Sequence, residues 1–454
     1  MHASAQMTIL GGGPGGLAIG YYARKRGIPC TVYEATGRLG GNCVTLRHGE
    51  FLFDSGAHRL HDQDAEATAE IKALLGDDLR QINVPSLIYS EGQYIDFPLS
   101  PLNLAGALGL PVFVKAGLEV LRARLGGRGG AGADFESFAL RTYGRTLAER
   151  FLLGYSEKLW GAPCRRLSPR IAGKRMQGLT LKTFVKEALL GRGAKTEHLD
   201  GSFFYPRRGI GMIPDALGAA CGEEHIRRES AITGIRHDGK RIAAVEVNGG
   251  QEMDTGFVVS TLPLDRFLQM MTPRPPDDVL AVARGLRYRN VVLVALFLNR
   301  ESVTHAATLY FPGPEFPFTR LYEPRNRSAA MSPPGRTSLV VEMLCQGDDP
   351  VWAMADSRLV ERVLQPLFKT RMITEREVMD SAVTRMSHAY PVLEAGFEEK
   401  LDHVMTYLGQ FKNLEFSGRS GRFAYTHLHD LMRSGRAIVD RAVAAGKVSA
   451  AAEA

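Results

Sequence analysis

The pattern of hydrophobic and polar positions predicts a strand, a helix and a second strand at the start of the chain. Met7–Leu10 is a short apolar run typical of a strand, and the small and apolar residues after it predict a helix that continues to Arg26. Cys30–Tyr33 predicts the second strand. This order of elements indicates a βαβ unit with parallel strands.

Further along the chain, strand-like runs become more frequent. Ile242–Asn248 alternates apolar and polar residues after a turn at His237–Gly239, which predicts a hairpin. Val291–Leu298, the longest uninterrupted apolar run, and Ser338–Met343 predict strands of a second sheet. A long helix is predicted from about Leu428 to Ala444. The predicted fold class is therefore α/β.

The composition is that of a folded protein of several domains. The chain has 454 residues, of which 44% are hydrophobic and 23% charged, and these values exclude a largely disordered chain. No apolar run reaches the ~18 residues of a membrane span. Leu102–Val114 is apolar but interrupted by Asn103 and Pro111. We interpret it as a helix pair, with a peripheral membrane contact as the alternative.

Charge and cysteine content narrow the partners and the compartment. The formal net charge is +7, but lysine and arginine are dispersed, so small anionic ligands such as phosphates are favoured over nucleic acid. The 5 cysteines are scattered without a C-x-x-C pair, which predicts neither a disulfide framework nor a metal site. No signal peptide is predicted, because the first strand begins close to Met1. These features favour a cytoplasmic protein. The sequence leaves the oligomeric state open.

A glycine-rich motif joins the first predicted strand to the helix. Gly11, Gly13 and Gly16 form G-x-G-x-x-G, and Glu34 follows the second strand. In such a unit the first glycine permits a tight turn, the second a close approach to a pyrophosphate, and the third the packing of helix on strand. The pyrophosphate lies at the helix N-terminus, and the acidic residue binds a ribose hydroxyl. The motif therefore predicts a dinucleotide-binding site.

The residues after Glu34 carry a resemblance to one class of dinucleotide-binding enzymes. The run E-A-T-G-R-L-G-G-N, with Arg38, Gly40, Gly41 and Asn42, resembles the extended FAD fingerprint of the amine oxidase, protoporphyrinogen oxidase and phytoene desaturase superfamily. The resemblance implies FAD as the cofactor. It also implies that the arginine and the glycine pair reach the diphosphate and ribityl chain. An ordinary surface charge is the alternative for Arg38.

Two later segments resemble the other parts of the same FAD site. The strand near Ile232 is similar to the one whose backbone contacts adenine, and the V-V-S-T-L-P run at 258–263 is similar to the strand that returns to the cofactor. The strand that ends at Gly418 resembles the third piece. There His427 and Leu428 are implied to form the final flavin-contacting turn, with the helix N-terminus facing the flavin. A β-meander without ligand contacts is the alternative for the second segment.

Further motifs resemble UDP-galactopyranose mutase, a branch of the same superfamily. The run F-D-S-G-A-H-R-L-H that contains His58 is similar to its G-P-H-x-F-H loop, and Y-S-E-K-L-W-G from Tyr155 is close to Y-T-x-K-Q-W-G. F-T-R-L-Y-E around Arg320 is similar to Y-T-R-x-x-E, and G-R-S-G with Tyr425 is similar to the terminal motif. These resemblances follow the family's order along most of the chain.

The mutase resemblance implies catalytic and substrate-binding roles for several side chains. His58 is expected close to the flavin, with Arg320 and Arg419 on either side of the site. Arg320 and Tyr425 are expected to bind a substrate diphosphate. The nucleotide pocket is expected to contain Tyr155 and Trp160. An ion pair of Arg320 with Glu323 and a core position for Trp160 are the alternatives.

Two features depart from the mutase pattern. Phe203–Leu217 resembles the P-x-G-G-x-x-x-L loop of protoporphyrinogen oxidases and desaturases, and Gly209 and Gly211 are implied to let its backbone pass the flavin. The mobile-loop arginine pair of the mutase has no clean counterpart. The basic residues in that stretch are Arg170, Lys174 and Arg175.

These patterns predict a Rossmann-type FAD-binding domain built from discontinuous segments and a mixed α+β substrate domain. The FAD-binding segments are expected at 1–62, 201–263 and 386–447, and the substrate domain at 63–200, a helical part, and 264–385, a sheet part. The glycine-rich stretch Gly126–Gly132 is expected to be an exposed loop.

Three functions remain open at this point. The first is an oxidoreductase that moves a hydride from a small organic substrate to flavin N5, with His58, His388 and Tyr390 as candidate bases by position alone. The second is a redox-neutral mutase of a nucleotide sugar or another diphosphate. The third is a flavin-bound scaffold for a partner enzyme.

Overall fold

The structure, a computed structural model, describes residues 6–97, 99, 101–125, 133–172 and 202–450. The predicted loop Gly126–Gly132 and the candidates Lys174 and Arg175 lie outside the described residues. Arg170 is described: its guanidinium pairs with the carboxylate of Glu398 at 3.0 Å.

The predicted alternation of strands and helices is confirmed in the described residues. The strands are β1 Met7–Leu10, β2 Cys30–Tyr33, β3 Thr45–His48, β4 Phe51–Asp54, β5 Leu79–Asn83, β6 Ser86–Ser90, β7 Gln93–Phe97, β8 Ser202–Pro206, β9 Ile226–Arg227, β10 Ile232–His237, β11 Ile242–Val247, β12 Gln251–Asp254, β13 Phe257–Ser260, β14 Met271–Thr272, β15 Tyr288–Leu298, β16 Thr308–Tyr310, β17 Arg320–Tyr322, β18 Thr337–Cys345, β19 Val378–Pro391 and β20 Leu414–Phe416. The helices are α1 Pro14–Lys25, α2 Ala65–Leu75, α3 Pro101–Leu108, α4 Leu110–Leu125, α5 Phe135–Leu147, α6 Gly154–Trp160, α7 Met212–Cys221, α8 Leu264–Gln269, α9 Asp277–Arg284, α10 Pro350–Ala353, α11 Asp356–Lys369, α12 Phe397–Leu408, α13 Gly418–Gly421 and α14 Leu428–Ala444.

A parallel sheet of the order β20-β13-β1-β2-β9 forms the centre of one half of the molecule. Met7 on β1 lies opposite both Phe257 on β13 and Cys30 on β2, so strands far apart in sequence are neighbours. Each of the three segments predicted for the FAD-binding domain contributes strands to this sheet. Helix α1 packs between the sheet and α14, where a side chain at Gly435 would lie 3.1 Å from Ala18.

A mixed sheet of the order β19-β15-β18-β17-β16-β6-β7 forms the second half. Strand β15, which lies between β19 and β18, is buried from Arg289 to Leu298, as the apolar run of the sequence predicts. Strand β19 runs unbroken through the boundary expected at 385/386, because it pairs with β15 along its length. The expected boundary therefore cuts a strand of the second sheet.

A smaller sheet of the order β12-β11-β10-β14 contains the predicted hairpin. Ile232 begins β10 opposite Val247 and packs beside the apolar residues under this sheet. All five cysteines are buried and none forms a disulfide. Within the described ranges, no helix is both long enough and apolar enough to cross a membrane.

Candidate active site

The glycine motif brings the first strand against the segment that follows β13. Gly11 has a φ of +103°, and a side chain there would come within 2.2 Å of the Thr261 hydroxyl. A Cβ on Gly16 would lie 2.0 Å from the carbonyl oxygen of Gly11, so only glycine lets α1 start this close to β1. These two positions agree with the roles expected from the motif.

Gly13 differs from its neighbours because the space beside it is open. A Cβ there would meet only the Cα of Gly41, at 4.0 Å, and would otherwise project into the pocket that Gly13 lines. Gly13 is the N-cap of α1 and has no side chain to bond the first-turn amides. An open cradle at a bare helix N-terminus suits a pyrophosphate.

Glu34 lies on the wall of the same pocket. Its carboxylate accepts hydrogen bonds from the amide of Gly12 at 2.9 Å and from the amide and hydroxyl of Thr36 at 2.9 and 2.8 Å. These contacts hold the carboxylate at the end of β2, where a ribose hydroxyl could reach it. Glu34 is the one carboxylate among the described residues that line the pocket.

The glycine pair after Glu34 takes a course that differs in part from the expectation. Gly41 and Asn42 line the pocket, and the Asn42 side chain donates to the carbonyl of Ser387 at 3.0 Å. Gly40 turns behind the wall, since a Cβ there would meet the Cys43 carbonyl at 2.8 Å. Arg38 is exposed and donates to the carbonyl of Gly41 at 3.1 Å. Arg38 therefore supports the loop from outside rather than lining the pocket.

The C-terminal segment forms the opposite wall. Gly418, with a φ of +78°, lies so close to Gly15 that a Cβ on Gly15 would sit 3.0 Å from it. His427 and Leu428 line the pocket at the start of α14. The amide of His427 donates to the Asp430 carboxylate at 3.0 Å, so the helix supplies its own cap beside the pocket.

Three residues expected to approach the cofactor are not among those that line this pocket. Ile232 belongs to the smaller sheet, because β10 pairs with β11 and β14 rather than with the strands of the parallel sheet β20-β13-β1-β2-β9. Gly209 and Gly211 lie against the β3–β4 hairpin, where added side chains would come within 2.3 and 2.6 Å of Thr45. Their lack of side chains serves the packing of that hairpin and not an approach to the pocket.

His58 lies on the pocket wall beyond the glycine motif. Its Nε2 lies 3.1 Å from the carbonyl oxygen of Asn42, an acceptor, which requires the Nε2–H tautomer. Burial, reinforced by the positive charges of Arg419 and Arg320, lowers the pKa of His58 to about 3. The imidazole is therefore neutral at physiological pH.

Arg320 projects toward the pocket from β17 and pairs with Glu342 on β18. The Arg320 Nε donates to the Glu342 carboxylate at 2.6 Å, and a terminal nitrogen donates to the Tyr390 hydroxyl at 2.8 Å. Burial lowers the pKa of Arg320, but the carboxylate of Glu342 outweighs this and raises the pKa above its usual range. Glu342 also accepts the amide of Ala57 at 2.7 Å, next to His58.

The alternative partner, Glu323, is occupied elsewhere. Its buried carboxylate accepts hydrogen bonds from the amides of Val303 and Thr304 and from the hydroxyl of Thr337. The proposed Arg320–Glu323 pair is therefore wrong. Glu323 instead fixes the loop before β16 through these hydrogen bonds.

Arg419 is held between aromatic rings and backbone carbonyls. Its guanidinium lies 5.1 Å from the ring centre of Tyr390 and 5.0 Å from that of Tyr425, and it donates to the carbonyls of Ala389 and Thr426 at 3.0 Å. No carboxylate of the described residues pairs with it. Arg419, Tyr390 and Tyr425 all line the pocket.

Trp160 and Tyr155 lie behind the wall rather than on it. Trp160 is buried, and its ring meets those of Tyr390 and Tyr425 edge to face, with centres 6.5 and 6.1 Å apart. Tyr155 stands 5.9 Å from the ring of Tyr310, which lines the pocket in its place. Both side chains support residues that face the pocket, which matches the core alternative for Trp160.

The lysine of the same motif has a structural task. Lys158 Nζ lies within 2.7 to 3.1 Å of four carbonyl oxygens, which share its three N–H donors: those of Phe311, Gly313, Phe316 and Phe318. Burial lowers its pKa to about 8. Lys158 therefore gathers the loop that leads into β17 and Arg320.

Several residues at this end of the pocket are absent from the sequence-based candidates. Arg59 lines the pocket and donates to the hydroxyls of Ser86 and Thr308 at 2.7 and 2.6 Å. Its place directly after His58 is a signal that the sequence offered. Glu342 and Tyr310 follow no recognisable motif, since each reaches the site only through strand pairing.

An irregularity in β19 aims two more side chains at the pocket. The pairing of β15 with β19 shifts register near Asn290, and His388 there has a φ of +53°. The Asn290 side chain accepts the amide of His388 at 3.1 Å. His388 and Tyr390 both line the pocket as a result.

Comparison with known proteins agrees with this arrangement. A family model described as flavin-containing amine oxidoreductase matches residues 14–443. The chain belongs to this family. It is therefore a flavoenzyme with FAD as its cofactor, and the open cradle at Gly13, the bare N-terminus of α1 and Glu34 fit that group. Membership sets aside the scaffold alternative.

Curated relatives resemble part of the flavoenzyme. It is 24% identical over 284 residues to the chloroplastic protoporphyrinogen oxidase of Nicotiana tabacum. The aligned region covers 58% of this chain and 51% of the relative. Matches to the enzymes of Arabidopsis thaliana and Spinacia oleracea cover 59% and 57% of those proteins. The chain thus spans little more than half the length of these three relatives.

Solved structures share the fold over nearly the whole flavoenzyme. Reduced UDP-galactopyranose mutase superimposes with a TM-score of 0.85 at 19% identity, covering 98% of this chain and 94% of that one. Putrescine oxidase bound to putrescine gives a TM-score of 0.63 at 15% identity, with 97% and 99% covered. At these identities the likeness shows a common fold.

We predict that Gly13→Val reduces FAD binding without unfolding the protein. The backbone at Gly13 is extended and accepts any residue, so the new side chain enters the pocket alone. The affinity for FAD should fall about tenfold or more, because the new side chain costs at least one hydrogen bond to the phosphate. Flavin absorbance per protein after purification measures this. Gly250→Val is the control, since an added Cβ there has nothing within 4 Å. Equal flavin content in both variants would contradict the assignment.

We also predict that His58 does not titrate between about pH 5 and pH 8, the range in which histidine usually changes charge. Its pKa of about 3 keeps the imidazole neutral throughout, and the Asn42 carbonyl keeps the proton on Nε2. Nitrogen chemical shifts of selectively labelled histidine, assigned with His58→Gln, test this. A midpoint near 6.5 for the His58 signal would contradict it.

Proposed function

We propose that this flavoenzyme is an oxidoreductase that removes a hydride from an anionic organic substrate. One observation carries the proposal. The guanidinium groups of Arg59, Arg320 and Arg419 line the pocket beyond the glycine motif, and the lone carboxylate of the described lining residues, Glu34, lies at the nucleotide end. A negatively charged substrate would be attracted to this end, whereas a cation would be repelled.

The aromatic residues argue against an alkylamine cation as the substrate. Tyr390 and Tyr425 have stacked rings 5.8 Å apart, an arrangement suited to holding a cation. In this flavoenzyme that cation is Arg419. A protonated amine would have to displace a guanidinium that is also held by two carbonyls.

The division of labour among the site residues follows from their contacts. FAD, when bound, supplies the hydride acceptor. Arg320 would orient the substrate anion, since it lines the pocket and its guanidinium is fixed by Glu342 and Tyr390. His58 would serve as a neutral hydrogen-bonding group, because its low pKa makes it a weak base.

A redox-neutral nucleotide-sugar mutase is the second candidate. The TM-score of 0.85 with UDP-galactopyranose mutase and the basic pocket support it. The position of Trp160 is unfavourable, since a buried indole behind Tyr390 and Tyr425 is not available to stack on a uracil. The first proposal therefore stands ahead of the second.

The test compares three probes that the relatives' names suggest. Oxidised holoenzyme is mixed without oxygen with protoporphyrinogen, with putrescine or with UDP-galactopyranose, and the flavin absorbance is followed. We expect bleaching with the porphyrinogen, which carries carboxylates, and none with putrescine, a dication. Bleaching by putrescine alone would overturn the proposal. Conversion of UDP-galactopyranose by the reduced enzyme alone would establish the mutase instead.

We predict that Arg320→Met lowers the rate of flavin reduction about a hundredfold, the usual cost of one oriented donor at a reacting group. The single substitution leaves the buried Glu342 unpaired, which costs about 3–5 kcal/mol of stability. Arg320→Met with Glu342→Gln removes that charge and is the matched control. Rapid-mixing absorbance measures the rate. An unchanged rate in the folded double variant would remove Arg320 from the site.

A further inference from the structure

Helix α4 exposes a row of large apolar side chains. Leu110, Val114, Leu118 and Leu121 are 70%, 50%, 49% and 45% exposed. Their spacing of four, four and three places them on one face of the helix. These four residues, named here the α4 apolar row, account for half of the large hydrophobic side chains that are exposed in the described chain.

The opposite face of α4 makes the packing contacts that attach the helix to the rest of the protein. Ala116 is buried with Leu104 and Leu108 of α3 and with Tyr143 of α5. The α4 apolar row is therefore not needed to attach the helix to the protein. An apolar face of this kind in water indicates an interaction surface.

The charges beside the row have one sign. Lys115 and Arg122 are both exposed. Each lies about one helical turn from Leu118, a member of the row. Glu119, the one acidic residue of α4, is partly buried: its carboxylate accepts the amide and hydroxyl of Thr146 at 2.7 and 3.1 Å and lies 4.0 Å from the Lys115 ammonium. The fully exposed groups on this side of α4 are thus apolar and basic, since the carboxylate of Glu119 is partly buried and is occupied by Thr146 as well as by Lys115.

We propose that this face of α4 binds the surface of a membrane that contains anionic lipids. An apolar row flanked by lysine and arginine is the pattern of a helix that lies in the interface plane. The apolar side chains would enter the acyl boundary, and Lys115 and Arg122 would contact lipid phosphates.

A second copy of the chain suits this face less well. In an antiparallel two-fold contact centred on Leu118, Lys115 of one copy faces Leu121 of the other and lies next to its Arg122. Like charges would then lie close together across the contact. An anionic surface is complementary to both groups at once.

The test is flotation of the holoenzyme with vesicles. We use phosphatidylcholine alone and phosphatidylcholine mixed with phosphatidylglycerol, each at low and at high sodium chloride. The expected result is binding to the mixed vesicles that weakens with salt. Lys115→Gln with Arg122→Gln should lower it about 25-fold, about fivefold for each charge. Leu110→Ser with Leu118→Ser should lower it at least about tenfold.

Met379→Ser with Val443→Ser is the matched control, since both side chains are exposed and lie in β19 and α14. Flavin content checks that every variant is folded. Equal binding by all variants would place the contact on another surface. Absence of vesicle binding would overturn the proposal as well. In that case a dimer that Leu110→Ser with Leu118→Ser dissociates would assign the face to a second copy.

Discussion

The structure depends on the close contact of three backbone segments that are far apart in sequence. Thr261, after β13, lies between the glycines of the first strand and those of the C-terminal segment. Its hydroxyl donates to the carbonyl of Leu10 at 2.9 Å, and side chains on Gly11, Gly418 or Gly421 would come within 2.2 to 3.1 Å of it. Because glycine alone permits this approach, the glycines determine where the parallel sheet ends and where the cofactor cradle opens.

A second interaction joins the cradle to the substrate sheet. Glu342, fully buried on β18, accepts the Arg320 guanidinium with one carboxylate oxygen and the Ala57 amide with the other. The loop that carries His58 is thereby tied to the strand that presents Arg320. A buried carboxylate is stable here because both of its oxygens have partners, and it keeps the guanidinium charged toward the pocket.

Positive charge is the common property of the substrate end and of α4, but its setting differs. In the pocket, Arg419 is enclosed by two tyrosine rings and two carbonyls, so its orientation is restricted and it can select a ligand by shape. On α4, Lys115 and Arg122 are exposed beside apolar side chains, and the Lys115 ammonium lies 4.0 Å from the Glu119 carboxylate. Exposed flexible charges of this kind attract a surface without selecting a shape. The two regions therefore suit a small anion and an extended anionic layer respectively.

The sequence by itself determined the features that depend on local conformation. The spacing of Gly11, Gly13 and Gly16 between an apolar strand and a helical stretch marks a strand–turn–helix, and β1, α1, β15 and α14 lie where the apolar periods predict them. Tertiary structure decided the rest. Glu342 meets Ala57 from 285 residues away, and Trp160 stands behind Tyr390 because strand pairing places that tyrosine in front. No local pattern records such contacts, because a side chain's partner across a sheet depends on the register of strands that are distant in sequence.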